Sequence, residues 1–372
     1  MRLPTWEEFE GEQLEVLELP LNQSLFVVGP PGSGKTVLAM RRAQMVANAK
    51  ADTAQDDASV TVVTFNRMLK RLLALHLARQ KQSGIDVYTM HSFISYDYCD
   101  RMKESPPSLT EYMYDWDLML RQLEEMNASP NKAHLVIDEG QDLPQMFFRY
   151  ASRYVANTMT VFADENQALE EQHTTLEQIK AATGLDDPLI LEKNHRNTPE
   201  VARLAEHFHG GRLPAATVRR ASSRELPRLV RSANLQVTAN LVSNWFNNRG
   251  GSIGVIVWQN KVGGDLQREL AKKLSGTRVD RYDYKNKNES GINMLAPGVT
   301  ILNTRSVKGQ EFDTVFILEL ERFIPCTDDV KRRTMYMMCA RARDNLFLVY
   351  GPGVLTASAS KALPKSDILE RT

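Results

Sequence analysis

Short apolar runs without polar alternation recur along the chain: Leu25–Val28, Val60–Val63, Leu135–Ile137 and Met159–Phe162, then Ile253–Trp258, Val299–Leu302, Val315–Leu320 and Leu346–Tyr350. Such runs predict strands covered on both faces. Between them the apolar spacing becomes helical, as in Thr36–Ala49, Arg67–Gln80, Pro199–Phe208 and Leu266–Leu274. The alternation predicts an α/β fold of mostly parallel sheets flanked by helices. Four such runs fall in each half, so two lobes are expected, residues 1–187 and 188–357, joined near Asp186-Asp187-Pro188. Residues 94–133, with Pro106-Pro107 and a helical Trp116–Met126, and the arginine-rich strap Arg212–Arg231 stand outside the alternation and read as surface additions. Residues 358–372 are small and polar and are expected to fray.

Composition narrows the class. A chain of 372 residues that is 42% apolar can bury more than one core, which excludes a disordered or fibrous chain. Cys99, Cys326 and Cys339 are too few and too scattered for a disulfide framework, and a reducing, cytoplasmic setting is expected. The first twenty residues carry six glutamates and no long apolar stretch, unlike a leader peptide, and no later run predicts a membrane span. Net charge is zero, but unevenly spread: residues 1–187 hold 17 Lys/Arg against 28 Asp/Glu, and residues 188–372 hold 29 against 18. A basic C-terminal half fits either a polyanion-facing lobe or attraction between the two halves.

Gly29-Pro30-Pro31-Gly32-Ser33-Gly34-Lys35-Thr36 satisfies G-x-x-x-x-G-K-[ST] directly after a strand and before a helix. Its glycines let backbone N–H groups converge on phosphate oxygens, Lys35 offers a point charge, and Thr36 is placed to ligate Mg²⁺. Leu135-Val136-Ile137-Asp138-Glu139 supplies the second half of the chemistry. An aspartate ending a buried strand can hold the Mg²⁺ shell, and the adjacent glutamate can orient and deprotonate the attacking water. The pair predicts phosphoryl transfer to water.

Asp138-Glu139-Gly140-Gln141-Asp142 behind that loop resembles the superfamily 1 helicases of the UvrD/Rep/PcrA type, and further segments follow in that family's order. The resemblance implies two RecA-like P-loop NTPase lobes with ATP in the cleft between them. It implies that Gln13 reads the adenine edge, that Gln167 of Asp164-Glu165-Asn166-Gln167 senses the γ-phosphate, and that in Asn194-His195-Arg196 the ring of His195 stacks on adenine while Arg196 meets the γ-phosphate. Glu311 of Lys308-Gly309-Gln310-Glu311-Phe312 corresponds to a ribose contact, and Arg341, within Tyr336–Arg343, to the arginine finger. Thr64-Phe65-Asn66, His91-Ser92, Asn303 and Arg305 correspond to contacts with single-stranded nucleic acid. Cations supplied in this way stabilise the charge that develops on the γ-phosphoryl oxygens.

The chain departs from that family in length and detail. Only 40 residues separate Phe93 from His134 and 106 separate Arg196 from Asn303, which leaves little room for duplex-splitting accessory domains. Ala168-Leu169-Glu170-Glu171-Gln172 lacks the family's aromatic stretch, His195 replaces its usual tyrosine, Arg305 its histidine and Asn303 its threonine. Two functions are therefore expected: an ATP-driven translocase on single-stranded DNA or RNA, 3′ to 5′ by resemblance, or an ATP-dependent switch subunit acting with a partner such as a nuclease. A nucleotide-binding scaffold without turnover fits poorly with Glu139, Gln167, Arg196 and Arg341 all present.

Overall fold

The computed structural model describes residues 6–51, 59–65, 67–111, 113–132, 134–164, 174–210, 215–282, 291–293 and 295–372. The chain forms two compact units. Among the described residues, one holds those up to Gly29 together with Gly34–Glu192; the other holds Lys193–Thr372 together with Pro30–Ser33. The division falls between Glu192 and Lys193, later than the expected linker at Pro188, because Leu189–Ile190 still pairs with the strand Leu25–Val28.

In the N-terminal lobe the strands are β1 (Leu25–Val28), β2 (Val60–Thr64), β3 (Ile85–Thr89), a small antiparallel hairpin of β4 (Ser108–Thr110) and β5 (Met113–Tyr114), then β6 (His134–Ile137), β7 (Met159–Ala163) and β8 (Leu189–Ile190). The main sheet has the order β3-β2-β6-β7-β1-β8, and every pairing in it is parallel. Every residue of β1, β2, β6 and β7 is buried, as uninterrupted apolar runs require. β3 went unpredicted: Ile85-Asp86-Val87-Tyr88-Thr89 alternates and is only partly covered at the sheet edge. The order sets β7 between β1 and β6, so the strand leading to the phosphate loop and the strand leading to Asp138 flank a third.

The C-terminal lobe continues with a short parallel pair, β9 (Lys193–Asn194) and β10 (Thr217–Val218), and then β11 (Arg228–Arg231), β12 (Ser252–Val257), β13 (Val279–Arg281), β14 (Gly298–Asn303), β15 (Phe312–Ile317), β16 (Ala342–Tyr350) and β17 (Glu370–Arg371). The sheet order is β13-β14-β12-β15-β16-β11-β17, again parallel throughout. Val255, Ile301, Phe316 and Phe347 meet Val242, Leu266 and Leu270 of the covering helices in one core, where the Phe316 and Phe347 rings stack at 4.4 Å. Both lobes thus have the RecA-like layering expected of them.

Three peripheral segments differ from expectation. Residues 94–133 are not a surface addition: Ile94 and Tyr98 on the helix Met90–Met102, and Met119 and Leu123 on the helix Trp116–Glu125, lie in the N-terminal core. The strap ends in β11, an internal strand, and its Ser222, Ser223 and Arg224 are tied to the buried Glu200 carboxylate. Residues 358–372 do not fray. They form the helix Ala357–Lys361 and β17, with Leu363 and Leu369 buried, because apolar residues spaced through a polar segment suffice to seat it on the sheet edge. Among the described residues no helix is long and apolar enough to cross a membrane.

Two predictions follow from the packing. A Cβ on Gly254 in β12 would stand 2.3 Å from the buried Phe312 ring, so Gly254→Val overpacks the sheet and should cost about 1–3 kcal/mol in urea unfolding. His134, 1% exposed and 2.8 Å from the Thr160 hydroxyl, is pushed down to about 4 by burial, reinforced by Arg42 and Lys50. Because an unfolded histidine protonates near 6.5, the unfolded state takes up this proton first as the pH falls. Stability is full above about pH 6.5 and falls by about 2–3 kcal/mol down to about pH 4; His134→Asn should flatten that part of the pH–stability curve.

Candidate active site

The phosphate loop springs from the C-terminal end of β1. Gly32 (φ +85°) and Gly34 (φ +93°) hold conformations that side chains disfavour, and the helix Lys35–Ala51 begins directly afterwards. Lys35 is 6% exposed; its Nζ donates to the Gly29 carbonyl at 2.6 Å and pairs with the fully buried Asp164 carboxylate at 3.2 Å, at the end of the neighbouring β7. Asp138 follows β6, with its N–H on the Val63 carbonyl at 2.9 Å and its Oδ1 accepting from the Glu139 N–H at 3.1 Å. Burial first, and the neighbouring Glu139 charge second, raise the Asp138 pKa; hydrogen bonding to Thr36 and the Lys35 charge pull the other way. Its second oxygen, Oδ2, is buried without a hydrogen-bond partner.

Glu139 sits in the left-handed region (φ 58°, ψ 44°), a strained position for a non-glycine residue. Gln141 holds its carboxylate there, donating from Nε2 to Glu139 Oε2 at 2.7 Å while its Oε1 accepts from the Asp164 N–H at 2.9 Å. The candidate residues Lys35, Asp138 and Glu139 thus stand at neighbouring strand ends, with Asp164 and Gln141 as additional partners. Gln167 lies outside the described residues.

The C-terminal lobe gathers a second group. Arg196 Nε pairs with Glu311 at 2.9 Å. Burial raises the Glu311 pKa, but the charges of Arg196 and Arg343 outweigh it, and the carboxyl stays below its ordinary value. Arg341 is 1% exposed and donates from Nε to the Met337 carbonyl at 2.9 Å. His195 is half-buried and donates its N–H to the Gly32 carbonyl at 2.9 Å; the space beside Gly32 is filled by Asn194 Oδ1, 2.3 Å from where a Cβ would stand. Pro30–Ser33 therefore pack as part of this unit.

Residues 13–172 match a family model described as an AAA domain. The match covers the phosphate loop and the Asp138-Glu139 pair and leaves the C-terminal lobe outside it. No curated protein matches the chain. Among solved structures the chain is similar to the C-terminal domain of a possible DNA helicase from the Lactobacillus strain WCFS1, at 20% identity, covering 48% of this chain and 98% of that one with a TM-score of 0.34. It is also similar to the arterivirus nonstructural protein 10 helicase (12% identity, 95% of this chain and 64% of that chain, TM-score 0.45) and to the complex of that helicase with DNA (12%, 95% and 65%, TM-score 0.42). The chain spans just under two thirds of the length of those arterivirus chains.

Within the matched segment, Gln13 is buried on the helix Glu12–Glu18, with its Nε2 2.5 Å from where a Cβ on Gly34 would stand. What holds that helix against the loop is Arg42, on the helix that starts at Lys35. Its guanidinium is fully buried and donates to the carbonyls of Val16 (3.2 Å), Leu19 (2.7 Å) and Pro20. These are orphan acceptors at a helix end, and burial lowers the Arg42 pKa to about 10. Sequence reading missed Arg42; an arginine on the apolar side of a helical pattern was the available signal.

The expected nucleic-acid contacts divide by burial. Phe65 (42% exposed) and Arg305 are open to solvent. Thr64 is buried, with its hydroxyl lacking a partner, and Asn66 lies outside the described residues. Ser92 caps the helix Met90–Met102 reciprocally with Thr89. His91 packs on the Tyr114 ring at 5.4 Å and accepts the Tyr114 hydroxyl on its carbonyl; burial, then Arg67, lower its pKa. Asn303 is buried and donates to Asn260 Oδ1 at 3.2 Å.

Arg42→Ala strands three carbonyls at the end of the Gln13 helix and should cost about 2–4 kcal/mol in chemical denaturation. Nucleotide affinity, read by titration with a fluorescent ATP analogue, should fall with it.

Proposed function

We propose that the chain is a nucleic-acid-binding ATPase, an ATP-driven translocase of the superfamily 1 helicase type related to UvrD, Rep and PcrA. Its preferred track is single-stranded DNA, travelled 3′ to 5′. The observation that carries this reading is the Asp138 carboxylate, wholly buried, with an orphaned Oδ2 at the foot of a phosphate loop. A buried anionic oxygen without a donor is costly unless a cation meets it. One carboxylate and one hydroxyl, with phosphate oxygens completing the shell, suit Mg²⁺ and its preference for few protein ligands. Mg²⁺ held by Asp138 and Thr36 would neutralise charge on the β- and γ-phosphate oxygens.

The protein's own groups supply the rest. Lys35, the N–H groups from Gly29 to Thr36 and the start of the following helix bind the phosphates; Gln13 and His195 engage the adenine, and Glu311 the ribose. Glu139, held by Gln141, orients the attacking water and receives its proton. Arg196 and Arg341 stabilise the γ-phosphoryl charge, with Gln167 sensing that phosphate. Thr64, Phe65, Asn66, His91, Ser92, Asn303 and Arg305 form the track, with Phe65 the exposed stacking ring. A second reading, an ATP-dependent switch subunit working with a partner such as a nuclease, is favoured by residues 94–133, whose helices are part of the lobe core rather than a separate duplex-splitting domain.

The test is the steady-state ATPase rate with and without single-stranded DNA, then RNA, at one low salt concentration, since phosphate contacts weaken steeply with salt. The translocase reading expects DNA to stimulate hydrolysis; a flat response shifts the balance to the switch. Lys35→Ala should abolish turnover, and Glu139→Gln should lower kcat by about 100-fold or more while ATP binding persists.

A further inference from the structure

Arg196 and Arg341 lie 145 residues apart in sequence, yet the segments that carry them are fastened by side chains. Asn197, 1% exposed, donates from Nδ2 to the carbonyls of both Ala340 (3.2 Å) and Ala342, the two residues that bracket Arg341. Its Oδ1 accepts from Asn194 Nδ2 at 2.7 Å. Asn194 Oδ1 in turn accepts from the N–H groups of Arg196 (2.9 Å) and Asn197 (3.0 Å), closing a turn around Arg196. Arg196 Nη1 reaches the same Ala340 carbonyl at 3.5 Å. The outer side is secured by the Thr198 N–H on the Arg343 carbonyl (2.9 Å) and by Arg220, which donates to the carbonyls of Arg196 (2.8 Å) and Arg343 (3.1 Å) and pairs with Asp344 at 2.7 Å.

We propose that Asn197, seated by Asn194, is a positioning residue that makes Arg196 and Arg341 one rigid cationic unit. Both amide ends of Asn197 are used, and both carbonyl acceptors sit one peptide from Arg341, so a shift of either arginine segment breaks buried hydrogen bonds. By contrast, Gln310, also fully buried beside Glu311, has neither amide atom hydrogen-bonded. A guanidinium misplaced by about 1 Å loses most of its value to a developing phosphoryl charge, a loss of about 100-fold at most. The proposal rests on the catalytic reading of Arg341.

Asn197→Asp keeps shape and size but turns two donors into a carboxylate facing two carbonyl oxygens, whereas Asn197→Ala merely removes them. Positioning predicts that kcat for ATP falls about tenfold or more in Asn197→Asp, less in Asn197→Ala, with KM for ATP within about twofold. In an Arg341→Ala background either substitution should add less than about twofold, since the group being positioned is already gone. Hydrogen exchange of the intact chain supplies a readout independent of activity: residues 338–343 should exchange faster in both variants while residues 35–51 do not change. Effects that multiply with Arg341→Ala, or unaltered exchange at 338–343, overturn the proposal. Should Arg341→Ala hydrolyse ATP like the parent, the functional reading falls by itself, and the exchange of residues 338–343 alone decides whether Asn197 is the fastener.

Discussion

The N-terminal site depends on charge kept out of water at the ends of parallel strands. Lys35, Asp138, Glu139 and Asp164 are all at least nine-tenths buried, and groups of this kind are tolerated only when hydrogen bonds and opposite charges meet them closely. Asp164 is met by Lys35, Glu139 by Gln141, and one oxygen of Asp138 by the backbone of Glu139. The sheet order makes this possible. With β7 between β1 and β6, Asp164 stands beside Lys35, and Gln141 can bridge from Glu139 to the backbone of Asp164. The strain of Glu139 in the left-handed region is sustained by the same bridge, so the residue expected to handle water is fixed by the residue that fixes the lysine's partner.

The C-terminal group is organised on a different principle. Its arginines are held through main-chain carbonyls: Arg341 on Met337, Arg220 on Arg196 and Arg343, Asn197 on Ala340 and Ala342. Carbonyls accept hydrogen bonds without supplying a counter-charge. Carboxylates supplement this at three of them: Glu311 pairs with Arg196, Asp344 with Arg220 and Asp313 with Arg343.

Much of this was legible in the residues. Uninterrupted apolar runs gave the central strands because burial on both faces leaves no room for alternation, and the phosphate loop and Asp138-Glu139 declared themselves because their chemistry is local in sequence. Edge and late strands did not. β3 alternates, β11 is flanked by arginines, and β17 is two charged residues, Glu370 and Arg371, recruited by backbone pairing that has no side-chain signature. Asn197 was equally invisible, since it acts on the carbonyls of Ala340 and Ala342 far away in sequence and nothing in its own neighbourhood announces the partner; Arg42 left only the faint signal of an arginine on the apolar side of a helix. Ser92 and His91 show what the sequence did not reveal: residues matched to a ligand-binding motif are also used by the fold as helix cap and packing ring.

The fastening of Ala340 and Ala342 by Asn197 places an uneven burden on the two sides of the contact. A peptide oxygen is present whatever side chain the codon specifies, so hydrogen bonding leaves positions 340 and 342 free to drift, subject only to the small volume they occupy. The amide donor enjoys no such latitude. Inheritance should therefore hold the pair 194 and 197 together while their acceptors wander, and covariation between the two arginine segments would be weak even though they are mechanically one piece.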